Sequence, residues 1–146
     1  MFTSIKLYHT LLFLSLFFSG RKDIIDYISV FYYNLIGDIM KLRYDNKDIN
    51  LIECKSFYTR FKGFMLEDKI DKALLFDKCN SVHTFFMKRN IDIIMCDKDN
   101  TILYIYNDIG KNKVIWPKKE VTKVYELPVN YFDYKLNTKF EVIKWK

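Results

Sequence analysis

The stretch Ile91-Asp92-Ile93-Ile94-Met95-Cys96-Asp97-Lys98-Asp99-Asn100-Thr101-Ile102-Leu103-Tyr104-Ile105-Tyr106 decides the fold class. Two runs of β-branched and aromatic residues flank four polar residues with turn chemistry, which is the pattern of two paired strands. In the second run Ile102, Tyr104 and Tyr106 take one face and Leu103 and Ile105 the other, so both faces of the sheet are expected to be covered.

The same reading extends in both directions. Upstream, Ala73–Phe76 and Val82–Met87 are apolar enough for buried strands, and Lys41–Tyr44 and Ile49–Cys54 flank a polar turn of hairpin length, Asp45-Asn46-Lys47-Asp48. After that hairpin Ser56 can cap a helix beginning at Phe57, with Phe57, Phe61 and Met65 at four-residue steps and therefore expected to face the core. Gly63 would interrupt this helix at a cost of about 1 kcal/mol relative to alanine, which predicts the close approach of another backbone. Downstream, the irregular stretch Lys111–Lys119 surrounds Trp116-Pro117 with lysines and is a candidate rim for a site, and two strands around Lys123–Leu127 and Lys139–Trp145 complete the pattern. About eight short strands predict a mainly β (α+β) fold, a small single-domain β-barrel or rolled sheet with one short helix after the first hairpin.

Composition narrows the function classes. The 146 residues are 50% hydrophobic and 18% aromatic, enough for a packed core. The net charge is +6, and because Lys6, Arg21 and Lys22 balance Asp23, Asp26 and Asp38, all of it falls on residues 40–146. A basic surface favours anionic partners, but only Arg21, Arg43, Arg60 and Arg89 supply the guanidinium that phosphate and guanine contacts favour, so nucleic acid is a disfavoured partner. Cys54, Cys79 and Cys96 form no C-x-x-C and cannot all pair within the chain, which points to a reducing, cytoplasmic compartment. With His9 and His83 as the two histidines, a multi-histidine metal site is excluded and no metal or other cofactor is expected. Four glycines, at positions 20, 37, 63 and 110, leave no Gly-rich phosphate loop.

Residues 1–39 read as a hydrophobic N-terminal extension to a β-rich domain spanning 40–146. Leu11–Phe18 is too short to span a bilayer, which needs about 20 apolar residues, and Ile24–Met40 carries apolar side chains at helical spacing. Three readings stay open: an upstream start before Met40-Lys41-Leu42-Arg43, a membrane-lying anchor, and a cleaved signal. The second would make the protein membrane-associated.

Four segments in order carry a resemblance: Arg60-Phe61-Lys62-Gly63-Phe64-Met65; Ala73-Leu74-Leu75-Phe76; Cys79-Asn80-Ser81-Val82-His83-Thr84-Phe85-Phe86-Met87 leading into Ile91-Asp92-Ile93-Ile94; and Tyr125-Glu126-Leu127-Pro128. Together they resemble domain-of-unknown-function family 192, also called uncharacterised protein family 0127, over about residues 41–143. The resemblance implies a compact, mainly β domain and brings no established activity with it. Ala73, Val129-Asn130 and Asn137 depart from the family's glycines and small residues. Asparagine tolerates positive φ, so Asn130 and Asn137 are expected to preserve turns.

Two polar sets compete as sites. Cys79 and His83 are the candidate catalytic pair, a nucleophile and base, but along an extended strand they would be about 13 Å apart at roughly 3.3 Å per residue, so contact requires a bend. The plain alternative is a buried thiol and a core histidine. Arg60, His83, Asp92, Glu126 and Trp116 are the candidate binding residues; an Arg60–carboxylate pair would either hold a ligand at the cleft or pin the helix to the sheet. The resulting expectation is a non-catalytic binding or accessory module for a small molecule or a protein. The alternatives are a hydrolase-like enzyme using Cys79 and His83, and an accessory protein tethered to a membrane through residues 1–39.

Overall fold

The structure, a computed structural model, describes residues 40–144, so the readings of residues 1–39 lie outside the described residues. Among the described residues are nine strands and one short helix: β1 Met40–Tyr44, β2 Lys47–Glu53, α1 Phe57–Lys62, β3 Ala73–Asp77, β4 Val82–His83, β5 Ile91–Cys96, β6 Ile102–Ile109, β7 Val114–Ile115, β8 Lys123–Pro128 and β9 Glu141–Lys144. Seven strands form one sheet in the order β6-β5-β8-β3-β2-β1-β9, and β4 pairs with β7 separately.

The first hairpin turns on Asp45 and Asn46 alone, both at positive φ (48° and 60°), as a two-residue loop of this hand requires. Lys47 and Asp48 therefore join β2 rather than the turn. The chain then crosses over through α1 to place β3 parallel to β2, whereas every other pairing in the large sheet is antiparallel. Asn130 and Asn137 take φ of 56° and 63°, so both asparagines do hold left-handed turns, as Asn100 does at 62°.

Alternation divides the buried side chains between the two faces of the sheet. Leu42, Leu51, Leu75, Ile94, Tyr125 and Leu127 share one face with Phe132 and Phe140, while Leu74, Phe76, Ile93, Met95 and Val124 share the other with Phe64, Met87 and Ile115. All six residues of β5 are buried, as coverage on both faces demands, but β6 is an edge strand and Tyr104 is exposed. The register shift between Met95 and Cys96 leaves Leu103 out of the pairing, so Ile102 and Ile105 fall on one side and Leu103 and Tyr106 on the other, a correction to strict alternation.

The sheet is rolled but not closed, so the rolled-sheet form of the expectation holds and a closed barrel does not. Near the open seam Ile102 N–H donates to the Thr138 carbonyl (2.8 Å) and Phe140 N–H to the Asn100 carbonyl (3.1 Å), around a single bridge between Thr101 and Lys139. Two more expectations need correction. Phe57 and Phe61 do not face the core: they are 85% and 53% exposed, because α1 ends at Lys62 and the chain turns so that Phe64 enters the core instead. The strand expected over Val82–Met87 stops at His83, and Phe86 adopts φ 58°.

Candidate functional site

The site is built where α1 ends on β8. Ser56 starts the helix with a reciprocal cap, its Oγ accepting from Thr59 N–H while Thr59 Oγ1 accepts from Ser56 N–H, each at 3.1 Å. The helix stops at Gly63, whose φ of 47° with ψ of −129° favours glycine. A Cβ there would lie 3.0 Å from Glu126 Oε2 and 3.5 Å from the Phe76 ring. The close approach expected at this glycine is real, but the neighbour is a carboxyl group rather than a backbone.

Glu126 lies on the β8 face shared with Val124, beneath this helix end. It is 3% exposed, and its Oε2 has no hydrogen-bond partner among the described residues. Burial pushes the carboxyl up to about 8, Glu67 adds to the effect and the Phe64 backbone amide opposes it. At neutral pH the group is therefore largely protonated, able to donate one hydrogen bond and accept others.

A cavity of about 110 Å³ opens beside Glu126, with Arg60, Lys62, Cys79, Ser81 and His83 as its other polar residues and phenylalanine and methionine side chains among its apolar walls; the Lys62 ammonium is paired with Glu67 at 3.7 Å. Arg60 reaches it from α1. Its Nη1 donates to the Asp77 carbonyl at 2.7 Å, so the guanidinium does pin the helix to the sheet, but through a backbone oxygen and not through a carboxylate. His83 stands at the mouth with its ring centroid 5.6 Å from Phe61 and 4.8 Å from Phe85; its Nδ1 accepts from Phe85 N–H (3.3 Å), which leaves a hydrogen for Nε2. Thr84 fixes this segment by donating to the Gly110 carbonyl (2.7 Å) and accepting from Lys113 N–H (2.9 Å).

Cys79 and His83 thus line one cavity, and each is hydrogen-bonded to a different group. The Cys79 thiol donates to the Ser81 carbonyl at 3.1 Å, while His83 Nδ1 is engaged by its own neighbour. Asp92 does not line the cavity. It is fully buried, and its two oxygens accept from Asp108 N–H and Asn130 N–H, both at 2.8 Å, tying down two residues at positive φ. Trp116 follows β7 and is 73% exposed, outside the cavity lining. Among the described residues no group of three or more His, Cys, Asp or Glu is placed to hold a metal, and no helix is long and apolar enough to cross a membrane.

The three thiols differ in access. Burial, reinforced by Glu126, pushes Cys54 up to about 12, and burial also pushes Cys96 up, whereas Cys79 is partly exposed at the cavity. A maleimide at pH 7.5 is expected to label Cys79 at least tenfold faster than Cys54 or Cys96 in the native protein, as read by mass spectrometry of peptides. Equal rates for the three would mean that both faces of the core open as readily as Cys79 reacts.

The rolled sheet with its capped helix is a known architecture. It superposes on a crystal structure of a candidate transcription regulator from Sinorhizobium meliloti with a TM-score of 0.60 at 17% identity, covering 70% of this chain and 91% of that one. A protein of unknown function from Novosphingobium aromaticivorans gives a TM-score of 0.59 at 12% identity, covering 70% and 83%. These likenesses concern the fold alone. Residues 40–140 match the family DUF192, described as an uncharacterised ACR, and the chain belongs to that family. UPF0127 proteins from Thermococcus sibiricus and Thermococcus kodakarensis are 31% and 32% identical over 102 and 80 residues. Those matches take in 62% and 51% of this chain, which spans 62% and 50% of the length of these two curated relatives.

Proposed function

We propose that the β-rich domain is a non-catalytic binding module, and that a small molecule occupies the cavity between the end of α1 and β8 with Arg60, His83 and Glu126 as its polar contacts. One observation carries this reading: a buried carboxyl faces the cavity with an unpartnered oxygen. Leaving a buried polar group unsatisfied costs about 1–3 kcal/mol, and such groups are otherwise rare in native folds. A ligand that bonds to it removes that cost, and apolar walls with a few convergent polar groups are the usual lining of a small-molecule site. The separate engagements of Cys79 and His83 support binding over nucleophilic catalysis.

A thermal-shift screen of the full chain with metals, nucleotides, sugars, amino acids and small anions tests the proposal, run beside Glu126→Gln and His83→Ala. A ligand at about 100 times its dissociation constant adds about 2.7 kcal/mol, which raises the midpoint by several degrees. The expected result is one ligand class that stabilises the wild type and loses its effect in Glu126→Gln. A ligand whose effect survives both substitutions, or no stabilising ligand at all, overturns the proposal.

A further inference from the structure

Arg60 and Glu126 line the same cavity of about 110 Å³, yet they are not bonded to each other. The Arg60 Nη1 donates to the Asp77 carbonyl, and the guanidinium of this cavity-lining residue has further N–H donors beyond that bond. The Glu126 carboxyl, its Oε2 unbonded, is the second polar group of the lining and becomes an acceptor once it gives up its proton. A guanidinium and a carboxyl held apart on one small space are complementary to a molecule of reversed polarity placed between them. Its acceptor end meets Arg60 and its donor end meets Glu126.

Building on the binding reading above, we infer that the cavity takes a short zwitterionic amino compound, with its carboxylate on Arg60 and its ammonium on Glu126. The walls fit the same chemistry. Phe61, Phe64, Phe76 and His83 present rings around the space, and aromatic faces attract an ammonium and cover a short aliphatic chain. The carboxylate is a natural bidentate partner for a guanidinium fork. The small volume restricts the ligand to a few carbons between its two ends.

Proton balance gives this inference a signature of its own. Glu126 holds its proton in the empty site up to about pH 8. An ammonium seated on it stabilises the carboxylate, so binding at pH 7 releases that proton to solvent and leaves the ligand's charge unchanged. Affinity is therefore expected to rise about tenfold per pH unit below 8 and to level off above it. A simple carboxylate ligand shows the reverse. It uses the protonated Glu126 as a donor, releases no proton, and weakens above pH 8.

The test is isothermal titration calorimetry of the full chain at pH 6, 7, 8 and 9 in buffers of different ionisation enthalpy. The probes are glycine, β-alanine and γ-aminobutyrate, with propionate and n-propylamine as single-ended controls. The expected result is binding of at least one amino acid with release of close to one proton at pH 7. Affinity should fall at least tenfold in Glu126→Gln and in Arg60→Met, and less in Arg60→Lys, which keeps a donor for the Asp77 carbonyl. Binding of propionate or n-propylamine as tightly as any amino acid, or affinity that falls with rising pH, overturns this inference and leaves the binding module standing. Silence from all five probes, with a Glu126-dependent ligand found in the wider screen, also overturns the inference alone. Silence in both overturns the inference and the binding reading together.

Discussion

Asp92→Ala is expected to lower the stability of the domain by about 2–6 kcal/mol, because it strips the acceptors from two backbone N–H groups at once and each buried orphan costs roughly 1–3 kcal/mol. The Asp108 and Asn130 amides that Asp92 accepts belong to residues with φ of 53° and 56°, so the same carboxylate also holds two left-handed turns in place. Asp92→Asn is expected to behave similarly, since its amide NH2 would face one of the two donors. Against a total stability of about 5–15 kcal/mol for an ordinary domain, either change is large enough to leave part of the chain unfolded at 37 °C. Urea denaturation followed by circular dichroism measures it. A loss below 1 kcal/mol would show that water or the unfolded turns satisfy these amides, and that Asp92 is free for another role.

Glu126→Gln is expected to make the protein more stable than the wild type above pH 8. The sign follows from the displaced acid. Glu126 in the folded state keeps its proton to about pH 8, whereas the unfolded chain gives it up near the ordinary value of 4.5. Between these limits the folded state binds the extra proton, so its contribution is complete below about pH 4.5 and is lost as pH rises through about 8. The slope is at most about 1.4 kcal/mol per pH unit, which sums to several kcal/mol across the window. Glutamine is close in shape, carries no charge and lacks that slope. Asp92, whose carboxyl burial also pushes up, adds its own pH dependence to both proteins, so the difference between their profiles isolates Glu126. Urea midpoints from pH 5 to 9 provide the comparison, and parallel profiles would contradict the assignment.

Much of the architecture was legible because local chemistry and tertiary packing agree. Asp45-Asn46 carries a turn that only a few residue types enter cheaply, and Ile91–Cys96 is apolar at every position but Asp92 because it pairs on both edges and is covered on both faces. The order of the strands is another matter. That β8 lies between β5 and β3 is a long-range pairing, and nothing in a local window encodes it. The failures share one cause: a helical or strand period says which residues align but not where the element stops. Phe57 and Phe61 keep the spacing of a core stripe, yet the helix ends two residues before the phenylalanine that enters the core, Phe64.

The site was half legible. Arg60, Cys79, His83 and Glu126 were candidates from the sequence, and the fold brings them to one cavity. Asp92 and Trp116 were candidates too, but sequence alone cannot distinguish a buried carboxylate that bonds backbone amides from one that faces a ligand. Gly63 was noticed for its helix cost, while its real constraint comes from Glu126, far away in the chain. The signal that would have joined them was the shared membership of Gly63 and Glu126 in the four ordered segments.

The binding proposal stands on Glu126 being a buried acid with an unpartnered oxygen at the cavity. Its direct test is a pH titration of the Glu126 side-chain carboxyl by carbon-13 NMR on the full chain, assigned by comparison with Glu126→Gln. The expected midpoint is near 8 in the free protein and lower when the cavity ligand is bound. A midpoint in the ordinary glutamate range, about 4–5, would mean that water already solvates the group, and the cavity would lose the feature that marks it as a site.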